Sequence, residues 1–277
     1  MSKEGTYLRF IKEFIKKIPE EHLSASATLT IFKDSPKLAT KILLFMDHFL
    51  EDRANMLDLG CGYGYLTTLF KTALNFKNSY GVDIDEERLK IAEKFGLKTY
   101  RLDLEKNTLP FPNNYFDLAI ATGILNHLKF WDNLLSEAHR VLKSGGLLFI
   151  SNPNMGWWVN RISLLLGYQP PDVEISKIYT VNLPPFYPRK RSIEYVHSVT
   201  LGGMMQILSA YNFRCLKVFP TRIPRSDLDL KKPPIPSVIK YLIRAIDELA
   251  HFLPSLSIRL LLIGEKIEKI SKPPAKH

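Results

Sequence analysis

Three glycines recur at every second position, 60, 62 and 64, directly after an acidic residue in the stretch DLGCGYGYL. Met56 to Leu59 before them is a short apolar run, and Leu66 to Leu74 after them has the apolar spacing of a helix. Glycine adopts φ above zero and lets another group approach the backbone where a Cβ atom would clash. The glycines therefore predict a strand-to-helix turn of the kind at which open α/β sheets bind nucleotides, although an ordinary loop also uses such residues.

Strand and helix patterns alternate through the segment that contains this turn. The predicted strands are 55–59, 79–83, 98–102, 116–121 and 146–151, and the predicted helices between them are 64–74, 86–95 and 130–142. Such alternation indicates a parallel sheet with helices on both faces. The stretch KSGG at 143–146 predicts a helix end and a turn into the next strand. A helix near 203–211, a strand near 214–219 and a closing strand at 258–266 continue the pattern.

The other segments are additions to this core. Residues 1–50 have helical apolar spacing, and 153–200 contain Trp157 and Trp158 with little periodicity. A long irregular segment inside a compact domain favours a lid or binding loop, although a self-packed core explains the tryptophans equally well. The predicted organisation is an N-terminal helical cap at 1–50, a ligand-binding core at 51–152, a lid or substrate-binding insertion at 153–200, a core helix and strand at 201–220, a helical insertion at 221–254, and a closing strand and tail at 255–277.

Composition narrows the class of protein. The 277 residues are 45% hydrophobic and 24% charged, as in folded soluble proteins. Cys61 and Cys215 provide neither a disulfide framework nor metal-ligand spacing, which predicts a cytoplasmic protein without a bound metal. The charged start lacks the apolar core of a signal peptide, and no apolar run is long enough to span a membrane.

The net charge of +10 is spread along the chain, with one tight basic cluster at 188–191. A lysine-rich solvated surface accounts for this charge, and no zinc-finger or RNA-binding motif accompanies it. The sequence therefore disfavours a nucleic-acid partner and leaves peripheral contact with a membrane surface open. It gives no oligomeric state.

Acidic residues mark three successive predicted strands. Asp58 lies in the first, while Asp83 and Asp103 end the second and third. Because the carboxyl ends of parallel strands meet at one edge, these carboxylates should lie near one another. Asp83 can accept hydrogen bonds from both ribose hydroxyls of an adenosine ligand, and Asp103 from an adenine amino group. Taken singly, they would be a helix N-cap and a turn residue, although Asp85 suits the N-cap better than Asp83.

These motifs, in this order and spacing over about 55–154, resemble the class I S-adenosylmethionine-dependent methyltransferases of the small-molecule type, with a methyltransferase-11-like domain. DLGCGYG is similar to the family's D-x-G-x-G-x-G motif and YGVDID to its second motif. RLDLEKNTLPFPNNYFDLAIA resembles the third motif and fourth strand, and EAHRVLKSGGLLFISNPN the fifth-strand region. The resemblance implies a Rossmann-like α/β fold, with a seven-stranded sheet that is mostly parallel with the last strand antiparallel, helices on both faces, N-terminal helices and lid insertions.

The resemblance also implies a binding site for S-adenosylmethionine and its product S-adenosylhomocysteine. The residues on its methionine side would follow the first and fourth strands. Asp58 would orient the methionine amino group, through water. Gly60, Cys61 and Gly62 would pass under the methionine and ribose portions, and Thr122 and Gly123 would face the methionine side and the transferred methyl group.

On the adenosine side, the implied residues follow the second and third strands. Asp83 would bind the ribose hydroxyls, and Ile84 would pack on the adenine ring. Asp103 and the backbone of Leu104 would contact the adenine edge. The predicted function is transfer of a methyl group to a small-molecule acceptor by in-line displacement.

A general base is needed only when the acceptor atom must lose a proton, because the sulfonium already makes the methyl group electrophilic. His127, just beyond the fourth strand, is the best-placed candidate, with packing of the loop as its alternative role. The family often has Glu-His at this place, whereas this chain has Asn126 before the histidine. His197 is a second candidate, with structural tethering as its alternative, and Tyr187 and Tyr195 are weaker ones.

Two other functions use similar motifs. A nicotinamide-dependent dehydrogenase would place the third glycine of G-x-G-x-x-G at 65, where this chain has tyrosine. A protein that binds S-adenosylmethionine without transferring the methyl group would carry the same first motif. The motif of amino-methylating enzymes does not follow the fourth strand, where ATGIL stands, and the similar NLPPF at 182–186 lies in the predicted lid. A partly apolar acceptor is suggested by apolar lid residues, namely Trp157, Trp158, Leu164 to Leu166 and Phe186.

Overall fold

The structure is a computed structural model that describes residues 2–171, 173, 175, 181, 195–223, 237–250 and 252–268, without the side chains of 237–240 and 250. Its centre is a sheet of seven strands in the order β3-β2-β1-β4-β5-β7-β6. The strands are β1 (Asn55–Leu59), β2 (Asn78–Asp83), β3 (Lys98–Arg101), β4 (Phe116–Thr122), β5 (Leu142–Pro153), β6 (Phe213–Phe219) and β7 (Arg259–Lys266).

Strand β7 runs against both of its neighbours in this sheet. β1 pairs in parallel with β2 and with β4, and the pairs β2–β3 and β4–β5 are parallel as well. β7 pairs antiparallel with β5 and with β6. The predicted Rossmann-like sheet, mostly parallel with the last strand antiparallel, is confirmed.

Helices cover both faces of the sheet. The described α-helices are α1 (Lys3–Ile15), α2 (Glu20–Ser24), α3 (Ala27–Asp34), α4 (Pro36–Phe49), α5 (Tyr65–Leu74), α6 (Glu86–Glu93), α7 (Asp132–Val141), α8 (Trp158–Leu165), α9 (Leu201–Ala210) and α10 (Ser237–Ala250). Side chains alternate along β5, so Phe149 packs on the side of α1 to α5, while Leu148 and Ile150 pack on the side of α7 and α9. Among these helices, none is long and apolar enough to pass through a bilayer.

The start of β5 differs from the prediction. The sequence predicts a turn over 143–146 and a strand from 146, but β5 already begins at Leu142, opposite Phe116 of β4. The pairing register shifts after this contact, and Gly145 takes a φ of +76° there. Because pairing with β4 occurs on both sides of the irregularity, the glycines form a bulge inside the strand rather than a loop before it.

Four helices, α1 to α4, occupy the segment predicted as an N-terminal cap. Their inward faces carry Ile11, Phe32 and Met46, which have no exposed surface and pack in the same apolar cluster as β1 and β5. Where the parallel strands end, Thr28 Oγ1 of α3 donates a buried hydrogen bond of 2.8 Å to Ser151 Oγ of β5. The helical segment thus contacts the carboxyl edge of the sheet.

The chain after β5 forms a small apolar core with a later segment. Trp157 is 1% exposed and packs with Ile223 and with Ile243 of α10. The indole Nε1 of Trp158 donates to Asp247 Oδ1 at 3.4 Å. This packing is the self-packed alternative for the tryptophans, and the role of 153–200 as a lid stays a prediction. The NLPPF stretch, Phe186, Tyr187 and the basic cluster at 188–191 lie outside the described residues.

The glycine that begins α5 should be required for packing. Gly64 has a φ of +76°, and a Cβ there would lie 2.8 Å from the Cβ of Ala92 in α6. We expect Gly64→Ala to lower the free energy of unfolding by about 2–4 kcal/mol, from left-handed strain plus overpacking. Gly62→Ala is the control, because its φ is +51° and nothing lies within 4 Å of a Cβ there. In urea denaturation, the control should lose about 1 kcal/mol of its free energy of unfolding. Equal losses in the two variants would contradict the packing role of Gly64.

Candidate cofactor site

The carboxyl ends of β1, β2 and β3 place the three predicted aspartates along one edge of the sheet. Asp58 in β1 lies opposite Gly81 of β2. Asp83 ends β2 opposite Arg101, the last residue of β3, and Asp103 follows in the loop after β3. Neighbouring strands are roughly 4.8 Å apart, so this edge offers carboxylates at successive strand spacings.

Asp58 is buried, and its two carboxylate oxygens differ in their surroundings. Its Oδ2 accepts a 2.6 Å hydrogen bond from Thr67 Oγ1 in the first turn of α5. Its Oδ1 has no partner among the described residues, and Asp58 is only 1% exposed. Burial raises the pKa of this carboxyl to about 7, against the hydrogen bond from Thr67, and the charge of Asp83 adds to the rise. A buried carboxylate oxygen without a donor is unfavourable, so this atom fits a ligand that brings an N–H or O–H group.

The Val82 carbonyl of β2 holds the start of the glycine turn. The backbone N–H groups of Gly60 and Cys61 donate to Val82 O at 2.7 and 3.0 Å. The Cys61 side chain is buried beside Gly81, where a Cβ would lie only 2.6 Å from Sγ. Burial also raises the pKa of the Cys61 thiol, which keeps it neutral. Cys61 therefore offers a ligand its backbone and no thiolate.

Each glycine of the turn meets a different constraint. A Cβ on Gly60 would lie 2.9 Å from the side chain of Ile124, in the loop after β4, and a Cβ on Gly64 would strike α6. The Cβ position of Gly62 is open. Protein packing therefore explains the first and third glycines, and Gly62 is the position at which a ligand can come closest to the backbone.

Asp83 has a fixed orientation at the end of β2. Its Oδ2 accepts from Gly62 N at 2.8 Å and its Oδ1 from Asp85 N at 3.0 Å. Each oxygen keeps a second lone pair for a ligand hydroxyl. Ile84, the next residue, is 63% exposed, an uncommon environment for a large aliphatic side chain and one that suits the face of a flat ring. Asp85 caps α6, as the sequence predicts.

Asp103 and Leu104 lie in a tight turn after β3. Asp103 Oδ1 accepts from Glu105 N at 2.9 Å, and Oδ2 forms an ion pair of 3.0 Å with Lys106. The Lys106 ammonium holds the pKa of Asp103 below its usual range, so the side chain is an ionised acceptor. Leu104 is buried, and its carbonyl accepts from Asn133 Nδ2 at 2.9 Å.

β4 ends beside open space at the same edge. Thr122, its last residue, lies opposite Ser151 of β5. Gly123 follows with a φ of +67° and donates its N–H to Ser151 O at 2.9 Å. No described residue lies within 4 Å of a Cβ position on Gly123. The backbone here is open to a ligand, as at Gly62.

The two candidate histidines lie close to each other near the rim of this edge. His197 Nε2 donates to the Lys129 carbonyl at 2.8 Å, and its backbone N–H donates to Asn126 O at 3.4 Å. These contacts fit the tethering role of His197. His127 is exposed, and its ring meets that of Tyr195 edge-on at a centroid distance of 5.7 Å.

The sequence does not predict the contacts that join the N-terminal helices to the glycine turn. His22 of α2 stacks on Tyr63 with ring centroids 4.1 Å apart, and its Nδ1 lies 3.0 Å from the Tyr65 hydroxyl. It also misses Thr67 as the partner of Asp58. The two tyrosines flank the last glycine of the motif, which is a usable signal, but His22 lies 43 residues before Tyr65, beyond any local pattern.

Known proteins match the part of the chain that forms this site. Residues 57–150 match a family model described as a methyltransferase domain. A ubiquinone/menaquinone biosynthesis C-methyltransferase of Burkholderia vietnamiensis is 33% identical over 107 residues, which cover 37% of this chain and 44% of that protein. The matches span 35% to 60% of the length of the first curated relatives.

Solved structures share the fold at low identity. A methyltransferase from Archaeoglobus fulgidus that depends on S-adenosylmethionine is 20% identical, with 85% of this chain and 96% of that chain covered and a TM-score of 0.53. A (4+2)-cyclase is 16% identical, with coverages of 82% and 80% and a TM-score of 0.50. The fold thus accommodates more than one chemistry. Residues 57–150 therefore match the methyltransferase-domain family, and the sheet that they help to build has the fold of solved methyltransferases that depend on S-adenosylmethionine.

Proposed function

We propose that this protein binds S-adenosylmethionine at the glycine turn and transfers its methyl group to a small-molecule acceptor by in-line displacement. The observation that carries the proposal is the buried Oδ1 of Asp58, which has no partner among the described residues, on the same sheet edge as the open backbone of Gly62. A ligand with an ammonium group and a ribose suits this combination of a carboxylate and an uncovered backbone. The family of residues 57–150 supports the same cofactor.

The residues of the site fit this cofactor. Asp58 would accept from its amino group, directly or through water, and Asp83 would accept from the ribose hydroxyls. Ile84 would pack on the adenine. When bound, S-adenosylmethionine supplies a methyl group that is already electrophilic. The other proposed cofactor-binding residues are Gly60, Cys61, Gly62, Asp103, Leu104, Thr122 and Gly123.

The chain itself has to orient the acceptor atom and exclude water. We propose that the N-terminal helices, which reach the glycine turn through the His22–Tyr63 stack, enclose the site together with residues 153–200. His127 would take a proton from an acceptor that must lose one, and His197 would hold the segment after the lid against the loop of Lys129. Orientation of the acceptor atom would then provide most of the rate enhancement, because the bond from sulfur to the methyl group is already activated.

The acceptor that we propose is a partly apolar metabolite. The relative from Burkholderia vietnamiensis is named for ubiquinone/menaquinone biosynthesis. Leu164, Leu165 and Leu166 are all more than half exposed at the end of α8. The free thiols of Cys61 and Cys215 support a cytoplasmic location. The alternative, binding of the cofactor without methyl transfer, is favoured by the likeness to a cyclase of the same fold.

Cofactor preference tests the proposal. We expect the purified protein to bind S-adenosylhomocysteine with a dissociation constant at least about 100-fold lower than that for NAD, a difference of roughly 2.7 kcal/mol. The reason is the position of the third glycine at 64 and the aspartates at three strand ends. Isothermal titration calorimetry with each ligand provides the measurement. Tight NAD binding without S-adenosylhomocysteine binding would overturn the proposal.

Removal of the Asp83 carboxylate should weaken cofactor binding. Hydrogen bonds to a charged group contribute roughly 1.5–3 kcal/mol, so we expect Asp83→Ala to raise the dissociation constant of S-adenosylhomocysteine on the order of 10- to 100-fold. Asp85→Ala is the matched control, because it removes a neighbouring carboxylate that caps α6 and pairs with Arg88. Isothermal titration calorimetry of both variants measures the dissociation constant of S-adenosylhomocysteine, and circular dichroism checks that each variant is folded. An unchanged constant in Asp83→Ala would place the ribose elsewhere.

The affinity for the cofactor should depend on pH through Asp58. Its pKa of about 7 means that the free protein holds a proton there below pH 7, and binding of an ammonium group requires the ionised form. We expect the affinity for S-adenosylhomocysteine to fall by up to about tenfold per pH unit below 7. Asp58→Asn should flatten this dependence and weaken binding at pH 8, while Asp85→Asn should change neither.

The same titration predicts the stability of the free protein. Folding raises the Asp58 pKa from 3.8 to about 7, so the folded state holds the extra proton between these values. The contribution of Asp58 to stability is therefore present below the lower value and is lost as the pH rises through the upper one. Urea denaturation between pH 5 and 8 should show a smaller decline in Asp58→Asn than in wild type. Identical declines would contradict the raised pKa.

A further inference from the structure

A buried arginine stands at the carboxyl edge of the sheet, outside the site described above. Arg259 is the first residue of β7 and pairs with Pro153 at the end of β5. Since β7 is antiparallel to β5, its first residue lies at the edge where the parallel strands finish. Arg259 is only 8% exposed, and the four residues after it are apolar and fully buried.

The guanidinium of Arg259 has no ion-pair partner in the part of the chain that the structure describes. Its Nη1 donates to the Tyr195 hydroxyl at 3.4 Å. Its Nε is buried, and no described residue accepts a hydrogen bond from it. Arginine is almost never this buried unless it is paired, because removing an unpaired charge from water is costly. The exposed arginines Arg214 and Arg222, by contrast, each pair with a glutamate.

Tyr195 connects this arginine to the proposed methyl-transfer site. Its hydroxyl accepts from Arg259, and its ring contacts His127 in the loop after β4. β5 lies between β4 and β7 in the sheet, so the ends of β4 and β7 are two strand spacings apart, roughly 10 Å. A molecule with one end beside Gly123 and the other at Arg259 would need only the length of a single substituted ring.

We propose that Arg259 binds a carboxylate of the methyl acceptor, with the Tyr195 hydroxyl beside it. The free Nε–H and the adjacent Nη2 form one edge of the guanidinium fork, which matches the two oxygens of a carboxylate. One guanidinium balances one negative charge, which favours a carboxylate over a phosphate dianion. This inference rests on the proposed function, and it specifies the acceptor as a small organic acid with an apolar body.

The test uses benzoate, its neutral analogue benzamide and inorganic phosphate as probes, with the full chain saturated with S-adenosylhomocysteine. Nuclear magnetic resonance spectra of the arginine Nε–H groups provide the measurement, and the Arg259 signal is the one that is missing in Arg259→Met. This signal should shift saturably as benzoate is added at constant ionic strength, and it should not shift with benzamide. We expect Arg259→Met to weaken benzoate binding on the order of 10- to 100-fold, since charge-assisted hydrogen bonds are lost. Arg214→Met is the control at the opposite edge of the sheet and should bind benzoate like the wild type.

Each outcome decides the assignment. Arg259→Met should fold at least as stably as the wild type, because it replaces an unpaired buried charge with an apolar side chain of similar length. If it does not fold, Arg259→Lys keeps the charge but lacks the fork, and it should lose most of the benzoate affinity. The proposal would be overturned if the wild type did not bind benzoate, or if the Arg259 variants bound it as tightly as the wild type. Binding of phosphate but not of benzoate would overturn the assignment of the ligand group as a carboxylate. Failure to bind S-adenosylhomocysteine would instead count against the proposed function.

Discussion

The central position of β1 in a parallel sheet is the constraint on which the candidate site depends. β1 is flanked by β2 and β4, and all five of its residues are buried. This environment raises the pKa of Asp58 and leaves its Oδ1 in need of a donor. The same pairing places the Val82 carbonyl where it accepts two N–H groups of the glycine turn. Burial of the strand thus provides both the carboxyl group that needs a donor and the scaffold that surrounds it.

Two buried ionisable groups of opposite sign lie along the same sheet edge, at Asp58 and Arg259. Within the described residues neither forms an ion pair, and they cannot pair with each other, because β4 and β5 separate β1 from β7 by three strand spacings, roughly 14 Å. A buried charge without a partner is unfavourable, and two on one edge are best explained by ligands. An ammonium group at Asp58 and a carboxylate at Arg259 would compensate both, with the transferred methyl group between them.

The helical additions connect to this edge through a few polar and aromatic contacts. The Thr28–Ser151 hydrogen bond and the His22–Tyr63 stack hold the N-terminal helices at the strand ends. Trp157, directly before α8, packs instead with Ile243 of α10 in a separate small core. Because the fold is shared with a cyclase, the sheet by itself does not determine the chemistry. Under the proposals above, these additions and Arg259 of β7 together select the acceptor.

The alternating strands and helices, the glycine turn and the three strand-end aspartates could be predicted from the sequence alone. These features follow from apolar periodicity and turn chemistry, which act over a few residues. The bulge at the start of β5 could not be predicted from the sequence, because pairing with β4 overrides the local preference of the glycines for a loop. The three-dimensional structure was needed to show that Asp58 Oδ1 and Arg259 Nε are among the buried polar atoms without a partner in the described part of the chain, and that Ile124 occupies the space that a Cβ on Gly60 would need. Those outcomes depend on contacts between residues far apart in the chain, which no local pattern encodes.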